Sequence, residues 1–201
     1  GVEIQANQGS WRFEERYPMT NTTELIWELG TSDLASVGGG NTIRPDASSG
    51  PVYETPPLEQ DLYFGGLPRL HVNVNTATVG GQIYALLEDC DGANCIHIGH
   101  AIMDLRYHAG GDDEQTWTPV FEEITALMEF FPMDVEVAAG HTIKLTLRST
   151  GEDYLPSAAS TLVTVVDAGS TLQLDTFDPD TRDYYQTVQC TVQICLDMLD
   201  N

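Results

Sequence analysis

Four cysteines stand in two close pairs, Cys90 with Cys95 and Cys190 with Cys195. Such pairs do one of two things: they close disulfides or hold a metal. Four cysteines allow three disulfide connectivities. A zinc site needs Cys pairs with two to four residues between them, backed by further ligands; the spacing of Cys90 and Cys95 allows it, but the loop Asp91-Gly92-Ala93-Asn94 offers an acid and an amide instead. The disulfide reading is preferred, and it places the chain outside the reducing cytosol. Cys90 and Cys95 flank a hairpin tip in which Gly92 is free to adopt positive φ. A non-hydrogen-bonded antiparallel pair brings its Cα atoms to about 4.5 Å, within disulfide range. A local Cys90–Cys95 bridge is therefore expected. The competing arrangement joins the two pairs and ties the C-terminal tail to this hairpin.

The same hairpin presents Asp89, Asp91 and Asn94, oxygen-bearing residues of the kind that hold calcium, and Asp112-Asp113-Glu114 forms a second acidic loop. Neither has the spacing of an EF-hand, so ordinary turn chemistry is the default and calcium is the one cofactor candidate. Five histidines are scattered along the chain. His97 and His100, three apart on an expected strand, should point to opposite faces and share no ligand. No nucleophile elbow, phosphate-binding loop, dinucleotide fingerprint or zinc-protease helix occurs. Paired carboxylates are everywhere in so acidic a chain, so they single out no glycosidase site. Among the aromatics, Trp11 and Trp27 fall on the apolar phase of alternating strands and are expected in the core. Trp117, just after the acidic glycine loop, is the one candidate for an exposed platform that stacks a sugar ring. Asn21-Thr22-Thr23 is a glycosylation sequon.

Charge bounds the partners. Against 31 acidic residues stand only 8 basic ones, for a net charge of −23, and Lys144 is the sole lysine. Nucleic acid and anionic membrane both need basic patches, so neither is expected to bind. Acids spread along the whole chain suit a surface adapted to high salt, where self-repulsion is screened. Clustering of some of them around cations is the other reading. No apolar run approaches the roughly 20 residues of a membrane-spanning helix. Gly1-Val2-Glu3-Ile4-Gln5 has neither the basic start nor the apolar stretch of an export signal, which on this reading lies upstream. A secreted or cell-surface location is expected.

The elements that must position these residues alternate with period two. Trp11, Phe13 and Tyr17 alternate with charged residues, and Leu25, Trp27 and Leu29 alternate with Glu24 and Glu28. Leu70, Val72 and Val74 stand against His71, Asn73 and Asn75, and Ile143, Leu145 and Leu147 against Thr142, Lys144 and Thr146. Each run buries one face and wets the other. Residues 83–87, 96–107 and 161–166 are apolar on both faces. Turns are expected at Gly65-Gly66-Leu67-Pro68, Gly80-Gly81, Gly110-Gly111, Ala139-Gly140 and Ala168-Gly169, and a long irregular connection over Gly38–Pro57. Turn spacing of this kind without a long amphipathic helix predicts an all-β antiparallel sandwich. Residues 1–177 form that sandwich, and 178–201 form an extension packed on it or trailing from it.

One family shows the same features in the same order. Val2-Glu3-Ile4-Gln5 is followed by Gly9-Ser10-Trp11-Arg12, then by PLEQDLYFGGLPRL ending at Leu70. Ile83–Asp91 follows with Ile98-Gly99-His100, and last comes Val137-Ala138-Ala139-Gly140-His141-Thr142-Ile143-Lys144-Leu145. Together these resemble the C-terminal domain of X-prolyl dipeptidyl peptidases, cocaine esterase and glutaryl acylases, over roughly residues 1 to 177. Arg106 and Arg148 are what remains of that family's arginine-rich strand. The resemblance implies a jelly-roll, galactose-binding-domain-like sandwich without catalytic residues. Its serine, aspartate and histidine would belong to an upstream α/β-hydrolase domain of the same polypeptide, whose active-site entrance or oligomer contacts this domain helps to shape. His141 would then be a buried, hydrogen-bonded structural imidazole. A carbohydrate-binding module, assisted by calcium, is the alternative.

Overall fold

A computed structural model describes residues 1–45, 50–108, 120–151, 154–155, 161–182 and 184–185. Two antiparallel sheets face each other. The first runs β10 (Glu123–Glu129), β7 (Leu62–Thr76), β13 (Val163–Thr176) and β3 (Thr23–Glu28), with β11 (Met133–Val137) beside β7 and β5 (Thr42–Ile43) beside β13. The second runs β4 (Ala35–Gly38), β6 (Val52–Glu54), β12 (Thr142–Arg148), β8 (Gln82–Asp91) and β9 (Asn94–Asp104). All named pairings are antiparallel, as the alternation required. A third, small sheet holds β1 (Val2–Gln5), β2 (Trp11–Glu14) and β14 (Tyr184–Tyr185).

The period-two residues deliver the core. Leu70, Val72 and Val74 meet Ile143, Leu145 and Leu147 in one buried cluster that also takes Trp27, Ile83, Ala85 and Leu87. The residues that alternate with the first three along β7, His71, Asn73 and Asn75, stay half-exposed. A Tyr53 to Asp167 hydrogen bond of 2.6 Å ties the second sheet to the first through the core edge. Gly30, at φ +75°, makes room for it: a Cβ there would come within 2.7 Å of the Asp167 carboxylate.

Three expectations need correction. Gly65-Gly66-Leu67-Pro68 is no turn, because β7 runs through it for 15 residues. Along this strand the partner changes from β11, paired with residues 62–66, to β10, paired with 69–75. The glycines let the strand bend there: Gly66 has φ +91°, and a Cβ on Gly65 would press on Met19 and the Asp134 carboxylate. Ala168-Gly169 is likewise a bulge inside β13, where the register shifts between Val166 and Thr171. Ser170 there donates to the Val166 carbonyl at 2.6 Å and accepts from the Asn73 amide at 2.8 Å, so the interrupted ladder stays satisfied. The irregular connection over Gly38–Pro57 holds the short strands β5 and β6.

The third correction concerns β2. Its apolar phase points outward: Phe13 is 54% exposed and Trp11 half-buried, while Arg12 and Glu14 are buried. Trp11 is therefore not a core residue, whereas Trp27 is. A buried arginine beats two aromatics for the inner face only because partners wait for it there.

Candidate functional site

Those partners define the best-built polar site among the described residues. Arg12 lies fully buried, and its Nε donates to Glu14 Oε1 at 2.8 Å. Its Nη1 and Nη2 make a bidentate pair with both oxygens of Asp134 on β11, with Nη2 at 2.6 Å from Oδ1. Arg182 reaches the other oxygen of Glu14 at 3.0 Å and donates to the carbonyls of Thr20 and Asn21. Phe177 offers its ring to both guanidinium groups, at 4.5 Å from Arg12 and 5.3 Å from Arg182. Two arginines thus match two carboxylates, so the buried charges are balanced and hydrogen-bonded. Tyr17 closes the edge by donating to the carbonyls of Gly66 and Met133. Burial, then the negative charge of Asp134, raises the Tyr17 phenol above its ordinary value. This network fastens the small sheet, and the segment after Phe177, to the sandwich. Glu14, Asp134 and Arg182 were missed in the sequence. The available signal was Arg12 in an otherwise aromatic strand, together with an acid inside the apolar run Met133-Asp134-Val135.

The Cys90–Cys95 bridge forms as expected, with Cα atoms 4.0 Å apart. The two residues are directly paired, as are Asp91 and Asn94 beyond them. Gly92 takes φ +58° at the first position of the two-residue turn, as a II′ hairpin turn requires. Beside the bridge, Lys144 pairs with Glu88 at 2.9 Å and lies 3.1 Å from the Cys95 sulfur. Of the calcium candidates, Asp89 is buried and accepts from His141 Nδ1 at 2.7 Å, while Asp91 and Asn94 are exposed at the tip. Among the described residues no group of three His, Cys, Asp or Glu is arranged to hold a metal. His141 is hydrogen-bonded as expected but only partly buried, with 29% of its side chain exposed. Trp117, the Asp112-Asp113-Glu114 loop, Cys190 and Cys195 lie outside the described residues.

His97 and His100 break the expectation that they diverge. The register slips by one residue at Ile98, since Leu87 pairs with Gly99 but Glu88 with His97. That bulge turns both imidazoles to one face, with His100 Nδ1 3.1 Å from His97 Nε2. His100 also meets the Tyr154 hydroxyl at 3.1 Å and stacks on Tyr84. Arg106 caps the end of β9 by donating to Asp104. Burial alone would raise the Asp104 carboxyl, but hydrogen bonds from the Arg106 side chain and backbone, with its charge, hold it below the ordinary value.

Fold and sites together describe a jelly-roll type β-sandwich whose buried charges serve as ties between elements. The model of the X-Pro dipeptidyl-peptidase C-terminal non-catalytic domain matches residues 1–189, and the chain belongs to that family. The match extends past residue 177 into the segment read as an extension. Solved structures share the fold at low identity. A CocE/NonD family hydrolase from Staphylococcus aureus superposes at TM-score 0.69 and 10% identity, over 87% of this chain and 41% of that one. An aminopeptidase from a marine sediment archaeon, Thaumarchaeota archaeon, gives 0.66 and 11%, over 86% and 39%. An α-amino acid ester hydrolase gives 0.51 and 12%, over 84% and 32%. The chain therefore spans about two fifths or less of each of these three solved chains. No curated protein matches it in sequence.

Proposed function

We propose that this chain is the accessory domain of an extracellular serine hydrolase of the X-Pro dipeptidyl-peptidase or esterase type. It packs on the α/β-hydrolase domain of the same polypeptide and shapes the active-site entrance or the oligomer contacts. The observation that carries the reading is membership of a non-catalytic C-terminal domain family across residues 1–189. The longer hydrolases that share the fold are consistent with it. The Cys90–Cys95 disulfide supports an oxidising, extracellular location.

A serine-directed fluorophosphonate probe tests the assignment on the full polypeptide. The reading expects one labelled serine, upstream of Gly1, with loss of X-Pro anilide turnover. A label on a serine within these 201 residues would overturn it.

A further inference from the structure

The chain's single lysine stands against a disulfide sulfur. Lys144 projects from β12 opposite Glu88 on β8. Its Nζ lies 2.9 Å from a Glu88 oxygen and 3.1 Å from Cys95 Sγ. Its side chain is 24% exposed and that of Glu88 16%, so salt and water screen this ammonium only in part. The ion pair with Glu88 explains why the charge is held there. The sulfur gains little from it in the oxidised state, because sulfur is a weak acceptor. It gains much more once it carries charge, since an adjacent lysine favours thiolate over thiol. The two sulfurs also differ in access: Cys90 is 1% exposed, while Cys95 is half-buried. An incoming thiol therefore meets Cys95, the sulfur beside the ammonium.

From this contact we infer that Cys95 is a site of reversible exchange with small thiols, poised by Lys144. A thiolate attacks Cys95 Sγ, the bond to Cys90 breaks, and Cys90 leaves as a thiolate that takes up a proton. A second thiolate attacks the outer sulfur of the mixed disulfide, the small disulfide departs, and Cys95 is left as a thiolate paired with Lys144. Two small thiols are oxidised and the protein disulfide is reduced. In the first step the ammonium stabilises charge spread over the reacting sulfurs, and in the second it improves Cys95 as leaving group. Other charged groups on this face work against it. Glu88 draws on the ammonium, Glu54 stands opposite Lys144 and accepts from Thr142, and Asp91 lies beyond the bridge. His97 stands opposite Glu88, and Asp89 is engaged by His141. The ladder continues on both sides of the bridge, with Asp89 paired to Ile96 and Asp91 to Asn94, so the hairpin persists when the bond opens.

The test is alkylation of the reduced chain by iodoacetamide as a function of pH, read on the Cys95 peptide so that Cys190 and Cys195 do not enter. The midpoint should lie at least about one pH unit lower in the parent than in Lys144→Met. Lys144→Arg, which keeps the charge, should retain the low midpoint. In glutathione buffers at pH 9 the parent bridge should be half-reduced at a proportion of reduced glutathione at least about fivefold lower than Lys144→Met requires. Coincident midpoints for parent and Lys144→Met, equal glutathione behaviour, or a midpoint raised alike by Arg and Met, would overturn the inference. If Lys144→Met does not fold, Glu88→Gln decides. Freeing the ammonium from its carboxylate should lower the Cys95 midpoint further, and an unchanged or higher one overturns the role of Lys144.

Discussion

The residue with most at stake is Arg12. Completely buried between Glu14 and Asp134, it neutralises carboxylates that have little access to water. Breaking such a pair leaves uncompensated buried charge and costs about 3–5 kcal/mol. Arg12→Met should therefore lower the urea midpoint substantially, whereas Arg69→Met, which breaks an exposed pair with Glu24, should change it by less than about 1 kcal/mol. Equal effects would show that the buried network is not what holds the small sheet. Tyr53 gives a second prediction, with a pH sign. Burial, then the hydrogen bond and charge of Asp167, raise its phenol far above the ordinary value. A raised folded value means that the stabilisation is complete below the unfolded value of about 10 and is lost as pH rises beyond it. Tyr53→Phe should thus be less stable than the parent at neutral pH, by about 1.5–3 kcal/mol for a hydrogen bond to a charged group. It should also lose less than the parent between pH 9 and 11. Parallel pH profiles for the two proteins would refute this.

At the scale of elements, the sequence was most informative where one face of a strand is core and the other is water. Leu70 to Val74 and Ile143 to Leu147 were legible for that reason, and so was the hairpin that carries the disulfide. Legibility failed where a third body sets the direction. The pattern of β2 could not reveal that its charged phase finds Asp134, a residue 122 positions away. It failed again at bulges, since a single extra residue at Ile98 reverses the facing of His97 relative to His100. Gly65-Gly66 looked like a turn because composition marks backbone freedom without saying whether a chain reverses or bends. The disulfide closes a loop so short that its effect on the unfolded chain is limited to about 2 kcal/mol. Replacing Cys90 and Cys95 with serine should cost no more than that and leave the fold intact. A loss well above this in chemical denaturation would mean that the bridge holds more than the hairpin.

For the whole molecule, charge and family membership set the expectations. A net excess of 23 negative charges repels across the molecule. Screening shortens the reach of that repulsion from about 10 Å at 0.1 M salt to about 3 Å at 1 M. The melting temperature should rise between low salt and 2 M KCl; a flat or falling one would contradict the view of the acidic surface as an adaptation to salt.

The central claim is that this domain serves a hydrolase without doing chemistry itself. Acyl transfer needs a nucleophile, a base and oxyanion donors brought together, and the family to which the chain belongs supplies none of them from this domain. The most direct measurement is hydrolysis of an X-Pro anilide and of a p-nitrophenyl ester by the purified 201-residue chain, beside the full polypeptide. The account predicts the buffer rate for the chain and inhibitor-sensitive turnover for the full polypeptide. Turnover by the chain alone, abolished by a serine-directed inhibitor, would contradict it.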